Sequence, residues 1–237
     1  MATRSPAKTA ILHINAGGAA PRKAPARRVD IEMLLRKRIA NQQIAPGSKL
    51  LEKELSQEYG VSRTQVREAF ASLALRGLID RIPNRGAVVS RLEVDSAMEI
   101  FAVRAALEGM CARLAAQNSS KEDWLPFIEL FDGPMKQHVR NSDFEAFLDI
   151  YGKFRQAMIH HAGNQTLTRM LDIIHEKVVT LSRRIIILPH RAEQALKEHR
   201  AVLDALLRGD ADAAEDMRKA NMRSGAEWFA RYRNFVL

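Results

Sequence analysis

Apolar residues recur along most of this chain at the three- and four-residue intervals of helices facing a core. Val29 to Asn41 carry Ile31, Leu34, Leu35 and Ile39 on one side, which predicts a first helix. Ile44-Ala45-Pro46-Gly47 reads as a turn into Leu50-Leu51-Glu52. Glu52 to Tyr59 then hold Leu55 and Tyr59 four apart, and Gly60, free to take positive φ, marks a break. From Ser62 onward Val66, Ala69, Phe70 and Leu73 stand at i, i+3, i+4 and i+7, the stripe of another helix. Its start is written twice. Ser62 and Gln65 are spaced as a capping box, and Val61 and Val66 as a hydrophobic staple. Gly77, with Leu73 and Leu78 on either side, is placed for a Schellman stop. Two short strands follow, Ile79 to Ile82 and Ala87 to Ser90, joined by the turn Pro83-Asn84-Arg85-Gly86.

Two helices, a tight break and a hairpin make a winged helix–turn–helix over residues 29–90. The second helix leaves Arg63, Thr64, Gln65 and Arg67 exposed near its start. A helix N-terminus already favours phosphate, so arginines there suit DNA better than they suit the helix. The alternative is a solvated face on an ordinary helix pair; cap, staple and arginines coinciding favour DNA. At the wing tip Arg85 stands beside Gly86, where backbone can approach a phosphate or a minor groove closely.

Beyond residue 90 the pattern is helical throughout. Asp95 is expected to cap a helix reaching Ala116, with Ile100, Val103, Leu107, Met110 and Leu114 facing inward. A second helix runs from Ser120 to about Val139, and a third starts at a box formed by Ser142 and Glu145 and stops near Gly163. Asn164 opens a long fourth helix that ends by Pro189. His190 to Arg208 form a fifth, and Asp210 opens the last, to about Phe229. Short connections predict an antiparallel bundle over residues 91–237, and the fold class is mainly α.

Charge separates these halves. Residues 1–90 hold 16 Lys and Arg against 7 Asp and Glu, while residues 91–237 hold 21 of each, so the whole net charge of +9 lies in the first part. That assigns nucleic acid to the N-terminal half. Residues 1–28 carry six basic residues and no acid and are expected to be a disordered tail. Added non-specific DNA affinity and a dispensable solvated extension both remain open for it. Cys111, the single cysteine, excludes a disulfide framework, fits a reducing cytoplasm and reads as a buried, inert thiol. Neither a membrane span nor an export signal is expected. Phosphate-binding and dinucleotide fingerprints are absent, as are paired catalytic carboxylates, so no enzyme is expected.

The chain resembles the GntR family of bacterial transcription regulators. The matching residues are Ile44, Pro46-Gly47, Leu50, Glu52, Glu54-Leu55, Gly60-Val61-Ser62-Arg63-Thr64, Val66-Arg67-Glu68-Ala69, Leu73, Gly77-Leu78 and Asn84-Arg85-Gly86. The resemblance implies that Lys53, Ser62, Arg63, Thr64, Arg67 and Gly86 touch DNA. Gln65 stands where a small residue or Pro is common. The helical half is similar to the FCD domain of the FadR-like branch, through Val103-Arg104, Leu107-Glu108, Leu114-Ala115-Ala116, Phe154, Gly163-Asn164, Glu198-His199 and Gly209-Asp210.

Many FCD domains hold a divalent metal through one Asp and three His. The corresponding positions here are Tyr151, Arg155, His199 and Asn221, and a guanidinium cannot coordinate a cation. No metal and no cofactor is therefore expected at that place. Since relatives sense small carboxylates, the resemblance implies that Arg155, with Arg104, Tyr151, His199 and Asn221, binds an organic acid directly. The competing reading pairs Arg155 with Glu198 or another helix acid. A site rebuilt from His160, His161, His175 and His199 is a further alternative. The expected protein is a homodimeric, cytoplasmic regulator, a repressor before an activator, reading a palindromic operator and answering a small carboxylate.

Overall fold

A computed structural model describes residues 30–236 apart from 83, 84 and 92. The basic tail, Val29 and the first half of the wing turn thus lie outside the described residues. α1 (Ile31–Ala40) is capped by Asp30, whose carboxylate accepts from the Met33 N–H at 3.0 Å. α2 (Glu52–Tyr59) ends at Gly60, and α3 (Arg63–Leu75) begins behind Ser62. The capping box is formed in both directions. The Ser62 Oγ accepts from Gln65 N–H (3.2 Å), and the Gln65 Oε1 accepts from Ser62 N–H (2.9 Å). At the other end Leu78 N–H reaches the Leu73 carbonyl and Gly77 N–H that of Ala74, the paired bonds of a Schellman stop.

The wing strands are β2 (Ile79–Ile82) and β3 (Gly86–Val89), antiparallel with Ile82 opposite Gly86. A third strand, β1 (Lys49–Leu50), pairs with the other edge of β3. Two residues are too few to show a period, so this strand had no signal in the sequence. Leu35, Val66, Leu73 and Phe70 fill the middle of this domain, with Leu50, Ile79, Ala87 and Val89 closing it from the sheet.

In the second domain α4 (Val94–Asn118) packs along its length on α11 (Ala211–Arg231), flanked by α7 (Phe144–Ala162) and α10 (Arg191–Leu207). Several expected details change. Glu93, not Asp95, stands at the cap of α4; Asp95 lies within the first turn, where its charge suits the dipole. Residues 121–140 are not one regular helix. They open as a tight 3-10 turn (Lys121–Trp124), continue as α5 (Leu125–Leu130), widen into a π-turn (Phe131–Met135) and finish as α6 (Lys136–Arg140). Pro134 falls within the π-turn. It has no N–H to donate and its ring crowds the preceding turn, which the wider winding accommodates.

Asp143 caps α7 by accepting from the Ala146 N–H at 3.2 Å; Ser142 takes φ 55° instead, one position too early. The expected fourth helix is two, α8 (Gln165–Ile173) and α9 (His175–Ile186), broken at Ile174. The break lies against the winged domain. There Arg36 of α1 bonds Glu176 (2.7 Å) and Asp172 (3.2 Å), and Arg76 bonds Asp172 (2.8 Å). Tertiary contacts, rather than a Gly or Pro, account for the change of direction. A short α12 (Arg233–Val236) ends the described chain.

The inward stripe read on α4 is only half right. Ile100 is buried, Leu107 and Leu114 are half-buried, and Val103 and Met110 are 47% and 44% exposed. Arg104 and Glu108 turn inward instead, each 2% exposed. A hydrophobic rule puts such residues outside, and the helix is rotated to bury them.

Candidate nucleic-acid interface and buried cation cluster

The capped start of α3, the start of α2 and the wing enclose one open groove. Lys53, Arg63, Arg67, Arg81, Arg85 and Gly86 line it, with Glu52 the acid among its lining residues. The Arg67 Nε donates to the Glu52 Oε2 at 2.8 Å, which aims the guanidinium along the groove wall. Ser62, Thr64 and Gln65 are exposed at its edge. The Gln65 side-chain oxygen is committed to the cap, so its amide NH2 is the end it can offer outward. A Cβ on Gly86 would lie 2.3 Å from the Leu50 carbonyl oxygen, and the residue takes φ 94°. Glycine here thus lets β1 close against the wing, a reason that the sequence did not reveal. Arg81, two residues into β2, also joins the groove; it went unnoticed because it follows the helix motif and precedes the turn.

The structure brings Arg104, Tyr151, His199 and Asn221 to one small cavity of about 30 Å³, beside Arg191 and the apolar Phe101 and Ile185. Arg155 does not line it. Its Nε donates to the Glu108 Oε1 at 3.1 Å, one layer below. Glu108 organises the cluster. It also accepts from the Arg104 Nε (3.0 Å) and from Arg218. Tyr151 OH lies 3.2 Å from Arg104 Nη2 and 2.8 Å from Arg218 Nη2, and the His199 ring stacks on the phenol with centroids 4.5 Å apart. A second carboxylate, Glu198, accepts from both Nη atoms of Arg191 at 3.0 Å and from Asn221 at 2.6 Å.

Electrostatics fix the protonation states. Burial would raise the Glu108 carboxyl, but Arg104, Arg218 and Arg155 outweigh it and hold it well below the usual carboxylate range. Burial, then Arg218 and Arg191, depress His199 far below its ordinary value, so the imidazole is neutral. Burial pushes the nearby Cys111 thiol up to about 12, leaving it unreactive. Four guanidiniums, those of Arg104, Arg155, Arg191 and Arg218, thus face two carboxylates in the interior. Arg155 Nη2, Arg191 Nε, Arg218 Nε and His199 Nδ1 are buried without a protein partner.

Sequence reasoning missed Arg191 and Arg218 altogether, and read Glu108 only as a family landmark. Arg218 lies one turn before Asn221 on α11, which is the signal that was available. The donor set does not fit a divalent metal. His199 is the only imidazole in the cluster, and the guanidiniums around it would repel a cation. His160 and His161 meet edge to face at the end of α7, and His175 opens α9, so the alternative histidine set is not assembled. Among the described residues no helix is long and apolar enough to cross a membrane.

Comparison with known proteins places this arrangement. Residues 27–89 match the description "Bacterial regulatory proteins, gntR family", and residues 99–224 match "FCD domain". The chain is 32% identical over 180 residues to the probable D-xylose utilization operon transcriptional repressor of Paenarthrobacter nicotinovorans, spanning 75% of this chain and 77% of that protein. It is 31% identical over 188 residues to the HTH-type transcriptional repressor RspR of Escherichia coli K12, spanning 78% and 81%. The solved structure of E. coli McbR/YncC shares the fold, with a TM-score of 0.69 at 22% identity over 85% of this chain and 96% of that one. The two matches follow one another along the chain as the winged and helical domains do, and the chain belongs to the GntR family of DNA-binding transcriptional regulators, with an FCD domain as its second half.

Proposed function

We propose that this regulator is a repressor that binds a palindromic operator as a homodimer and is released by a small organic acid held directly by guanidiniums, without a metal. The observation that carries the reading is the surplus of buried positive charge around the cavity, with unpartnered nitrogens left on Arg191 and His199, which line it, and on Arg218 outside the lining. A buried charge without a counter-charge is costly, and a carboxylate entering there would supply one. A cavity of about 30 Å³ confines the occupant to a few heavy atoms unless the helices part. Arg104, Tyr151, His199 and Asn221 are the contacts from the expected set, and Arg191 joins them; Arg218, like Arg155, lies outside the lining. Arg155 acts one layer behind, by holding Glu108. Two of the relatives are named as repressors, which supports that sign of regulation.

The exposed Val103 and Met110, one heptad apart on α4, supply an apolar stripe for a second copy, and two winged domains multiply discrimination on a palindrome. The test begins with an operator selected from random DNA by the purified protein. Acetate, pyruvate and malonate are then titrated into the complex at constant ionic strength, with anisotropy of labelled DNA as the readout. At least one acid is expected to release wild-type protein and to leave Arg191→Met bound. If no acid shifts either DNA affinity or melting, the effector reading is wrong.

A further inference from the structure

The side-chain amide of Gln65 is half committed before any DNA arrives. Its Oε1 accepts from the Ser62 N–H at 2.9 Å and from the Ser62 hydroxyl at 3.0 Å, so both lone pairs of the amide oxygen are in use. The same hydroxyl accepts from the Gln65 N–H at 3.2 Å, which closes the capping box. This ring of bonds fixes which way round the amide stands. A backbone N–H needs an acceptor, and an NH2 group cannot be one, so the end turned toward Ser62 is the oxygen. The nitrogen therefore points away from the cap. It has no hydrogen-bond partner among the described residues, and the residue is exposed. Gln65 thus faces outward as a donor alone.

Residues two apart on a helix point about 200° apart, so Gln65 lies on the opposite flank of α3 from Arg63 and from Arg67. A helix that enters the major groove by its N-terminal end brings both flanks to base edges, and the two flanks meet different base pairs. A free glutamine pairs with adenine, accepting from N6 and donating to N7. Gln65 lacks the accepting half. To read adenine it would have to release the Ser62 N–H, and with it half of the capping box. Guanine presents two acceptors side by side, N7 and O6, and a nitrogen set between them donates to both, as an ammonium does. Thymine offers one acceptor, and cytosine presents a donor that opposes the amide. We propose that Gln65 is a specificity-determining residue that donates to a guanine outside the base pairs read by Arg63 and Arg67, its choice of base set by the capping box. The inference rests on α3 being the element that enters the groove.

Operators selected from random DNA by the full chain test it, followed by anisotropy titrations with each of the four bases at every position of the selected site. The wild type is expected to prefer guanine over adenine by about fivefold or more at one position. Gln65→Ala should lose that preference and keep the order of bases elsewhere. Replacing the guanine by 7-deazaguanine, which lacks N7, should weaken the wild type by about threefold or more and leave Gln65→Ala unaffected. Gln65→Glu is the sharper variant. Its carboxylate can still close the capping box, but it turns an acceptor outward. Preference at that position should then move to cytosine or adenine, which carry an amino donor. Melting curves establish that each variant is folded. An adenine preference of the wild type at the position that depends on Gln65 would overturn the inference. So would base preferences unchanged in both Gln65 variants while Arg63→Ala and Arg67→Ala erase their own, a result that leaves α3 as the reader. If none of the four variants alters any position, α3 itself lies outside the groove and the inference falls with it.

Discussion

Arg63 and Arg67 differ from the buried arginines of the helical domain in what surrounds them. Arg63 is exposed at a helix N-terminus, and Arg67 is held only by Glu52 across a solvent-facing pair worth under about 1 kcal/mol. Neither contributes much to folding, and a bidentate contact to guanine is worth about 1–3 kcal/mol. Arg63→Ala and Arg67→Ala are therefore expected each to weaken operator binding roughly tenfold or more while melting stays within a degree or two of wild type. Quantitative footprinting of both variants checks this; wild-type affinity in both would remove α3 from the interface. His199 makes the opposite case. Its folded-state value lies well below the ordinary 6.5, so the unfolded chain takes up a proton that the folded one refuses. Stability is then fully present above about pH 7 and falls as pH drops toward about 5, before the carboxylates begin to titrate. His175, depressed by burial and by Arg155, adds to the same trend. His199→Gln is expected to flatten the dependence of melting on pH across that window, and an unchanged slope would mean that the imidazole titrates freely.

Elements whose signals lie within a few residues were legible in the sequence. The box of Ser62 and Gln65 and the Gly77 stop are local hydrogen-bond chemistry, and both stand where the spacing put them. Ser62→Ala removes the side-chain acceptor for the Gln65 N–H and is expected to cost about 1 kcal/mol of domain stability, measurable by urea denaturation. What was not legible depended on distant partners. β1 exists because β3 offers an edge, and the break at Ile174 exists because Arg36 and Arg76 hold Asp172 and Glu176 from another domain. The same limit applies to the cluster. Arg218 and Glu108 are 110 residues apart, so nothing near either one announces that the other will neutralise it. Family positions identified Tyr151, His199 and Asn221 as neighbours, yet put Arg155 on the cavity wall, where Arg191 reaches instead. The rotation of α4 follows from this: burying Arg104 and Glu108 turned Val103 and Met110 outward.

Across the whole molecule, α9 is the element that packs on α1 of the winged domain as well as on α4, α7, α8, α10 and α11. Its N-terminal turn holds Arg36 through Glu176, and Arg183 bonds Asn41 of the winged domain (2.7 Å) and Glu145 of α7 (2.7 Å). Ser182, Ile185 and Ile186 line the acid cavity. Glu176→Gln leaves Arg36 and Arg76 to share Asp172. Because both arginines keep some solvent, the cost is expected to be on the order of 2 kcal/mol rather than that of a fully buried pair. The more telling result is functional: the variant should still bind operator, but its release by acid should weaken, since one tie between cavity and winged domain is cut. Full release at the wild-type acid concentration would refute that role. Val103→Glu with Met110→Glu should yield a monomer by light scattering, and a persisting dimer would move the interface elsewhere.

The ion pairs at the break between α8 and α9 also bear on how this regulator can be rebuilt. A chimera that joined its winged domain to the sensor of another relative at residue 91 would keep both cores intact. It would nevertheless leave Arg36 and Arg76 facing whatever the foreign helices present in place of Asp172 and Glu176. Grafting a new ligand specificity onto this DNA reader therefore means carrying those two acids along with it, so that the exchangeable unit is the sensor together with the sockets for two arginines it does not own.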